Sequence, residues 1–252
     1  MTTIAATIIT KNEAANIEAC IRSVLWMDQI VLLDSGSTDG TLEICEKYKV
    51  QVTKTDWPGF GIQKNRALDK ANTDWIFSID ADERVSLELK NEILQTINSS
   101  SDCVAFKVPR QNYVLGKPVK HCLNSKSDAP IRLVKKDYAK FTSDIVHEKI
   151  IPDGSVGKLK NTLQHFSFPD LASVLQKASL YSTLGAEKLA AQNIKSSITK
   201  TLLHAIWSFL RMYFLKLGFL DGWSGFIMAL GSFEGTFYRY AKLMEMDNKK
   251  DG

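Results

Sequence analysis

The sequence predicts an α/β fold: a doubly wound, mainly parallel sheet flanked by helices, with a helical extension at the C-terminus. Three observations predict it. Up to about residue 100, apolar β-branched runs alternate with stretches of helical periodicity, the rhythm of strands joined by crossover helices. After Ser101 the runs become short and β-like, with no long helix between them. From Pro169 the spacing is helical to about Met246.

Thr3 to Thr10 (TIAATIIT) is β-branched and almost wholly apolar, which suits a central strand buried on both faces. Ile17, Cys20, Ile21, Val24 and Leu25 recur as the stripe of a helix packed on it. Gln29 to Asp34 (QIVLLD) reads as strand, SGSTDG as turn, TLEICEKY as helix and Val50 to Thr55 as a third strand. The helix-like KNRALDKA leads into a strand over Asp74 to Asp80, and another helix runs from about Ser86 to Ile97. CVAFKVP, APIRLVKK and DIVHEKII then predict a mixed-sheet or hairpin region that closes an active site. In the tail, Leu171, Val174, Leu175 and Ala178 share one stripe, and two further helical stretches follow.

At 252 residues, 44% hydrophobic and 24% charged, the chain can bury a core for one catalytic domain plus a smaller appendage. Cys20, Cys45, Cys103 and Cys122 have neither zinc nor disulfide-framework spacing and read as reduced thiols of a cytosolic protein. Lys11 and Glu13 interrupt the first apolar stretch, so no signal peptide is expected. The net charge of +4 is mild and the basic residues form no aromatic-interleaved stripe, which argues against nucleic acid as a partner.

Chemistry concentrates at strand ends. Asp80, Ala81, Asp82 and Glu83 directly follow a strand, where ligands bind in open α/β sheets. Carboxylates at i and i+2 can present oxygens to one hard cation, although an acidic turn alone is a weak signal. The segment Asp34-Ser-Gly-Ser-Thr-Asp39-Gly-Thr41 also leaves a strand and enters a helix. Asp34 suits a base or ribose, and Gly36 with the helix-start amides suits an anionic ligand, while Ser37, Thr38 and Asp39 equally fit a capped helix. Thr10-Lys-Asn12-Glu13 ends the first strand, either as a third member of the site or as a helix start.

Taken with Gly61-x-x-x-Asn65-Arg66, these motifs resemble inverting glycosyltransferase family 2, which has the Rossmann-like GT-A fold. The resemblance spans about Ile4 to Arg84. More narrowly, DWPGFGIQKNRAL, IDADE, RLVKK, VHEKI and the tail from His165 are similar to bacterial lipopolysaccharide-core β-1,4-glucosyltransferases that act on inner-core heptose. The resemblance implies a UDP-sugar donor, a lipopolysaccharide-core acceptor and a divalent metal, Mg²⁺ or Mn²⁺. It implies Asp82 as principal metal ligand, with Asp80 near the ribose and diphosphate and sharing the metal. Asp34 would contact the nucleoside, and Glu13, Asn65 and Arg66 would line the pocket with Thr10, Asn12, Gly36 and Ala81. For Arg66 a solvated helix face fits equally. The domains expected are 1–165, with nucleotide-sugar binding in 1–100 and the acceptor side in 101–165, and a helical region over 166–252.

Inverting transfer needs a base for the acceptor hydroxyl. Within Ser143-Asp-Ile-Val-His-Glu-Lys, Glu148 is the first choice and Asp144 the second, on one strand face, with His147 on the other as an acceptor contact or a structural histidine. Arg132 either holds an anionic acceptor or decorates a strand edge. His165 is a metal or diphosphate contact, or a polar core residue.

Between Leu202 and Leu243 the chain is rich in aromatic and aliphatic residues, but His204, Arg211, Lys216, Asp221 and Glu234 break every apolar stretch. With six Lys or Arg against two acidic residues from Lys195 to Lys242, it suits either a peripheral segment on the cytoplasmic face of an anionic membrane or helices packed on protein. Rival readings are transfer to polyprenyl phosphate, an Asp-nucleophile phosphatase, and a non-catalytic nucleotide-sugar-binding scaffold.

Overall fold

The computed structural model describes residues 2–48, 50–125, 128–142 and 148–248. In chain order the first half contains β1 (Ile4–Thr10), α1 (Ile17–Val24), β2 (Gln29–Asp34), α2 (Thr41–Lys47), β3 (Gln51–Lys54), α3 (Phe60–Asp69), β4 (Trp75–Ser78), β5 (Glu83–Arg84) and α4 (Leu87–Ile97). There follow β6 (Ala105–Lys107), β7 (Arg110–Val114), β8 (Lys117–Pro118), β9 (Ile131–Lys135), β10 (Ala139–Phe141), β11 (Ile150–Pro152), β12 (Val156–Lys158) and β13 (Leu163–Phe168). Three long helices close the chain, α5 (Leu171–Ala191), α6 (Ile198–Leu210) and α7 (Gly222–Asn248), with a π turn (Arg211–Leu215) and a 3₁₀ turn (Gly218–Asp221) between the last two.

Two compact units form: residues 1–111 with 125–165, and residues 112–124 with 166–252. The first is built on a seven-stranded sheet in the order β12-β6-β9-β4-β1-β2-β3. The neighbours β1/β2, β1/β4, β2/β3 and β12/β6 are parallel, and β9 alone runs antiparallel to both of its neighbours. The sheet is therefore mainly parallel. Ile4, Ala5, Ala6 and Ile8 of β1 are buried on both faces, as its unbroken apolar run requires, and α1 covers one face through Ile17, Cys20, Ile21 and Val24.

This strand order locates the site. The chain winds from β1 through β2 to β3 and then returns to place β4 on the opposite side of β1. In open α/β sheets ligands bind outside the carboxyl ends of strands at such a reversal, which in this fold lies beyond Thr10 of β1 and Ser78 of β4 and marks the candidate site.

Several boundaries depart from the sequence pattern. α3 starts at Phe60, ahead of the KNRALDKA pattern, because Gly59 takes a φ of 111° and turns the chain into the helix. β4 is shorter than its apolar run because Asp74 leaves the ladder, its Oδ2 accepting from Thr3 N at 2.8 Å and Thr3 Oγ1 at 2.9 Å. In the second unit, α5 begins with a capping box in which Asp170 and Ser173 bond reciprocally. Its predicted core stripe is only partly covered: Val174 is buried, but Leu171 and Leu175 are about half exposed. The four cysteines are unpaired. Among the described residues no helix is long and apolar enough to cross a membrane.

Candidate active site

The loops after β1 and β2 are laced together. Gly36 N and Ser37 N donate to Asp34 Oδ2 at 2.9 and 3.0 Å, and Ser37 Oγ donates to Asp34 Oδ1. Ser37 Oγ also accepts from Asn12 N at 2.9 Å, while Asn12 Oδ1 accepts from Thr38 N at 2.8 Å. Asn12 does this from a left-handed φ of 57°, a conformation that Asn tolerates better than most residues. Asp39 accepts from Thr41 Oγ1 at 2.6 Å and Ala14 N at 3.0 Å, and Glu13 N donates to Thr41 Oγ1 at 2.9 Å. Those bonds, the Thr41 hydroxyl first, hold the Asp39 carboxyl below its ordinary pKa.

Ser37 and Thr38 join two strand ends, and Asp39 serves the start of α2 as well, its Oδ1 accepting from Thr41 N, the first helical residue, at 3.2 Å; the N-cap position itself is Gly40, which makes no side-chain capping bond. Gly36, at φ 88°, has open space beside its Cα, as a close approach by ligand requires. Thr10 Oγ1 is buried without a hydrogen-bond partner among the described residues.

Beyond β4 lies a chain of alternating charges. Lys64 Nζ sits 2.9 Å from Glu148 Oε1 and 2.9 Å from Asp80 Oδ1. Arg132 Nη2 reaches Asp80 Oδ2 and Glu83 Oε1, each at 2.5 Å, and Arg110 Nη1 lies 3.6 Å from the same Glu83 oxygen. Arg110 is held in turn by Asp128 at 2.6 Å. Burial works against ionisation of Asp80, but the charges of Arg132 and Lys64 outweigh it and hold its carboxyl well below the usual range. Glu83 is fully enclosed, and burial pushes its carboxyl up despite Arg132. Glu83 Oε2 accepts from Asp80 N at 2.9 Å, which locks the acidic turn against β5.

Asp82, next in the same turn, meets a histidine. His165 Nε2 lies 3.4 Å from Asp82 Oδ2, both side chains being partly exposed. The pairing of β13 with β5, His165 opposite Glu83, carries the histidine there from far along the sequence. A carboxylate and an imidazole at that separation would suit a divalent cation, which Asp82 and His165 would hold and which would supply positive charge to a phosphate. Among the described residues no group of three or more His, Cys, Asp or Glu forms a metal-holding cluster, and both Asp80 oxygens face cations, so the fit rests on Asp82 and His165.

Other predicted residues are placed differently. Asn65 spends its side-chain amide on the backbone of Phe141, donating to its carbonyl at 2.9 Å and accepting from its N–H at 2.8 Å. Arg66 is half-exposed and pairs with Asp56 at 2.5 Å, the solvated-face arrangement. Arg132 is no edge decoration: β9 lies inside the sheet and the side chain is buried. Ala81 is buried, with its carbonyl accepting from Arg84 Nη1 at 2.8 Å. Asp144 and His147 lie outside the described residues.

Sequence reasoning missed Lys64 and gave Glu83 no role. One signal for Lys64 was available: it lies on the buried stripe of α3 with Gly61, Ala67 and Leu68, where a lysine needs a partner.

Comparison with known proteins gives the geometry its context. Residues 6–147 match the Glycosyl transferase family 2 profile. The chain is 31% identical to the lipopolysaccharide core biosynthesis glycosyltransferase LpsC of Rhizobium meliloti, over 96% of this chain and 92% of the relative. Among solved structures, S. aureus TarS (1–349) in complex with UDP matches with a TM-score of 0.48 and 17% identity, over 98% of this chain and 92% of that one. Glucosyl-3-phosphoglycerate synthase of Mycobacterium tuberculosis, with Mn²⁺, UDP and glucosyl-3-phosphoglycerate, matches with a TM-score of 0.37 and 23% identity, over 45% of this chain and 44% of that one. On the profile match and the near full-length relative, this chain belongs to glycosyl transferase family 2 and is a glycosyltransferase.

Proposed function

We propose that the chain transfers glucose from UDP-glucose to an inner-core heptose of lipopolysaccharide with inversion at the anomeric carbon. The observation that carries the reading is the pairing of Asp82 with His165 immediately beyond the turn whose Asp80 is joined through Lys64 to Glu148. That arrangement supports reading Asp82 and His165 as the metal-holding pair and Glu148 as the carboxylate for proton transfer. The lipopolysaccharide acceptor is supported by the name of the Rhizobium meliloti relative, which matches over nearly all of both chains.

In this reading the laced loops of β1 and β2 bind the nucleotide. Asp34, fixed by three donors from its own loop, keeps Gly36 and Ser37 in one conformation so that the pocket is formed before the donor arrives. A divalent cation, when bound by Asp82 and His165, screens the charge of the donor diphosphate and of the departing UDP. Glu148 takes the proton from the acceptor hydroxyl as its oxygen bonds to the anomeric carbon and the bond to the diphosphate oxygen breaks. Lys64 positions Glu148 and Asp80 together, and Arg132 anchors Asp80 from the interior.

The test is a panel of radiolabelled UDP-sugars with lipopolysaccharide cores truncated at defined residues. The expected result is glucose transfer to a core ending in heptose, with kcat reduced at least about a hundredfold by Glu148→Gln. Transfer from another donor, to polyprenyl phosphate, or at an undiminished rate in Glu148→Gln would overturn the corresponding part of the reading.

A further inference from the structure

In the second unit the packing of α6 is reversed from that of an ordinary surface helix. Its buried positions are the small residues Thr201, Ala205 and Ser208, and Ser208 Oγ donates to the Ser232 carbonyl of α7 at 2.7 Å. Its large apolar residues, Leu202, Leu203, Ile206, Trp207 and Leu210, point outward, with Leu203 64% and Trp207 56% exposed. A water-facing helix buries its large residues and exposes its small polar ones. Small residues between helices and large apolar residues outside is the arrangement found where the surroundings are hydrocarbon.

The outward apolar surface continues past the helix. Phe214, Leu215, Leu217, Phe219 and Leu220, in and between the π and 3₁₀ turns, and Trp223 at the start of α7 are all exposed, Leu215 and Trp223 each at 65%. Between α6 and α7 the surface opens into a groove lined only by Ile206, Phe209, Leu230 and Phe233. So many exposed large apolar residues within one stretch of chain mark an interaction site.

The charges around it select the partner. Between Glu187 and Asp221 the sequence has no acidic residue and carries Lys188, Lys195, Lys200, Arg211 and Lys216. Lys195, Arg211 and Lys216 are exposed. Asp221, the acid that ends this stretch, turns its carboxylate onto the backbone N–H groups of Lys120 and Cys122, at 2.9 Å each, and of His121 at 3.0 Å. A second copy packed on this face would bring a surface with the same excess of cations and no compensating acid from this stretch. An anionic bilayer offers acyl chains to the apolar surface and negative headgroups to the cations at its rim.

We propose that the outer face of α6 and the two turns that follow it seat this protein on an anionic lipid surface, lying in the interface without crossing it. The proposal rests on the second unit alone and is independent of the sugar or acceptor used. Co-sedimentation with vesicles of phosphatidylcholine and phosphatidylglycerol, against vesicles of phosphatidylcholine alone, tests it. The full chain is expected to bind the mixed vesicles and to be released by salt. The triple variant Trp207→Ser, Phe214→Ser, Leu215→Ser is expected to bind at least about tenfold more weakly. Neutralising Lys195, Arg211 and Lys216 to Gln is expected to weaken binding on the order of a hundredfold, about fivefold per cation.

A readout on the unaltered chain keeps the test free of folding effects: lipids brominated in the acyl chain should quench tryptophan fluorescence, and Trp207→Phe with Trp223→Phe should remove most of that quenching. Equal binding to both vesicle types, binding unaffected by the triple variant, or absence of quenching would overturn the proposal. So would a stable dimer, seen by analytical ultracentrifugation, that Trp207→Ser dissolves.

Discussion

Replacing Arg132 by Met probes the interior of the acidic turn. The arginine is 5% exposed at its side chain, Glu83 is 0% exposed and Asp80 is 28% exposed, with both carboxylates 2.5 Å from Arg132 Nη2. Asp80 keeps Lys64 and some solvent, so most of the loss falls on Glu83, whose other salt-bridge partner among the described residues is Arg110 at 3.6 Å. Removing one partner of such a buried pair costs about 3–5 kcal/mol, because the other charge is left in low dielectric. Urea denaturation followed by circular dichroism should show a lower midpoint at unchanged slope.

The deficit should also depend on pH. Burial raises the Glu83 carboxyl in the fold even beside Arg132. A raised carboxyl gives stability that is present below its unfolded pKa and lost as pH rises through the folded one, and without Arg132 the folded value moves higher still. The variant should therefore be most impaired at neutral pH and recover on acidification. Adding Glu83→Leu should restore part of the loss, since replacing a whole buried pair is close to neutral. A loss below about 1 kcal/mol, the size of a surface pair, would refute the reasoning.

Three further outcomes follow. Gly36→Ala should cost about 1–2 kcal/mol in urea denaturation, with Gly36→Asn costing less, because space beside Gly36 is open and only its φ of 88° resists a side chain. The Asp74 carboxyl is held below its ordinary 3.8 by the Thr3 amide and then the Thr3 hydroxyl, so its contribution is present above 3.8 and lost as pH falls through the lowered folded value. Asp74→Asn should remove this part of the acid limb of a stability–pH curve. Burial pushes the Cys45 thiol up to about 11 and Cys122 up to about 12, so mass spectrometry after iodoacetamide at neutral pH should find the half-buried Cys103 alkylated first.

The parts of this protein legible from sequence are those written in local pattern. β1, β2 and β4 announce themselves as apolar runs, and each hands its last residues to a polar turn, so TKNE, DSGSTDGT and DADE could be assigned to one sheet edge. Partnerships across the fold were not legible. That Arg132 would bind the acidic turn depends on β9 entering antiparallel beside β4, and no spacing encodes that. That Asn65 would spend its amide on Phe141 depends on α3 meeting β10. Helical periodicity in the tail was visible, but periodicity does not say which side is covered, and α6 turns its small residues inward. Family membership sets aside the phosphatase and scaffold readings, which local motifs alone had left standing.

We propose Asp82 and His165, 3.4 Å apart, as the metal-dependent half of a donor site. Calorimetric titration of UDP in the presence of Mn²⁺ and in the presence of chelator measures this directly. The unaltered chain should bind UDP more tightly with the metal, and Asp82→Ala and His165→Ala should each lose at least about tenfold of that gain while keeping the urea midpoint. Metal-dependent binding of equal strength in both variants would contradict it.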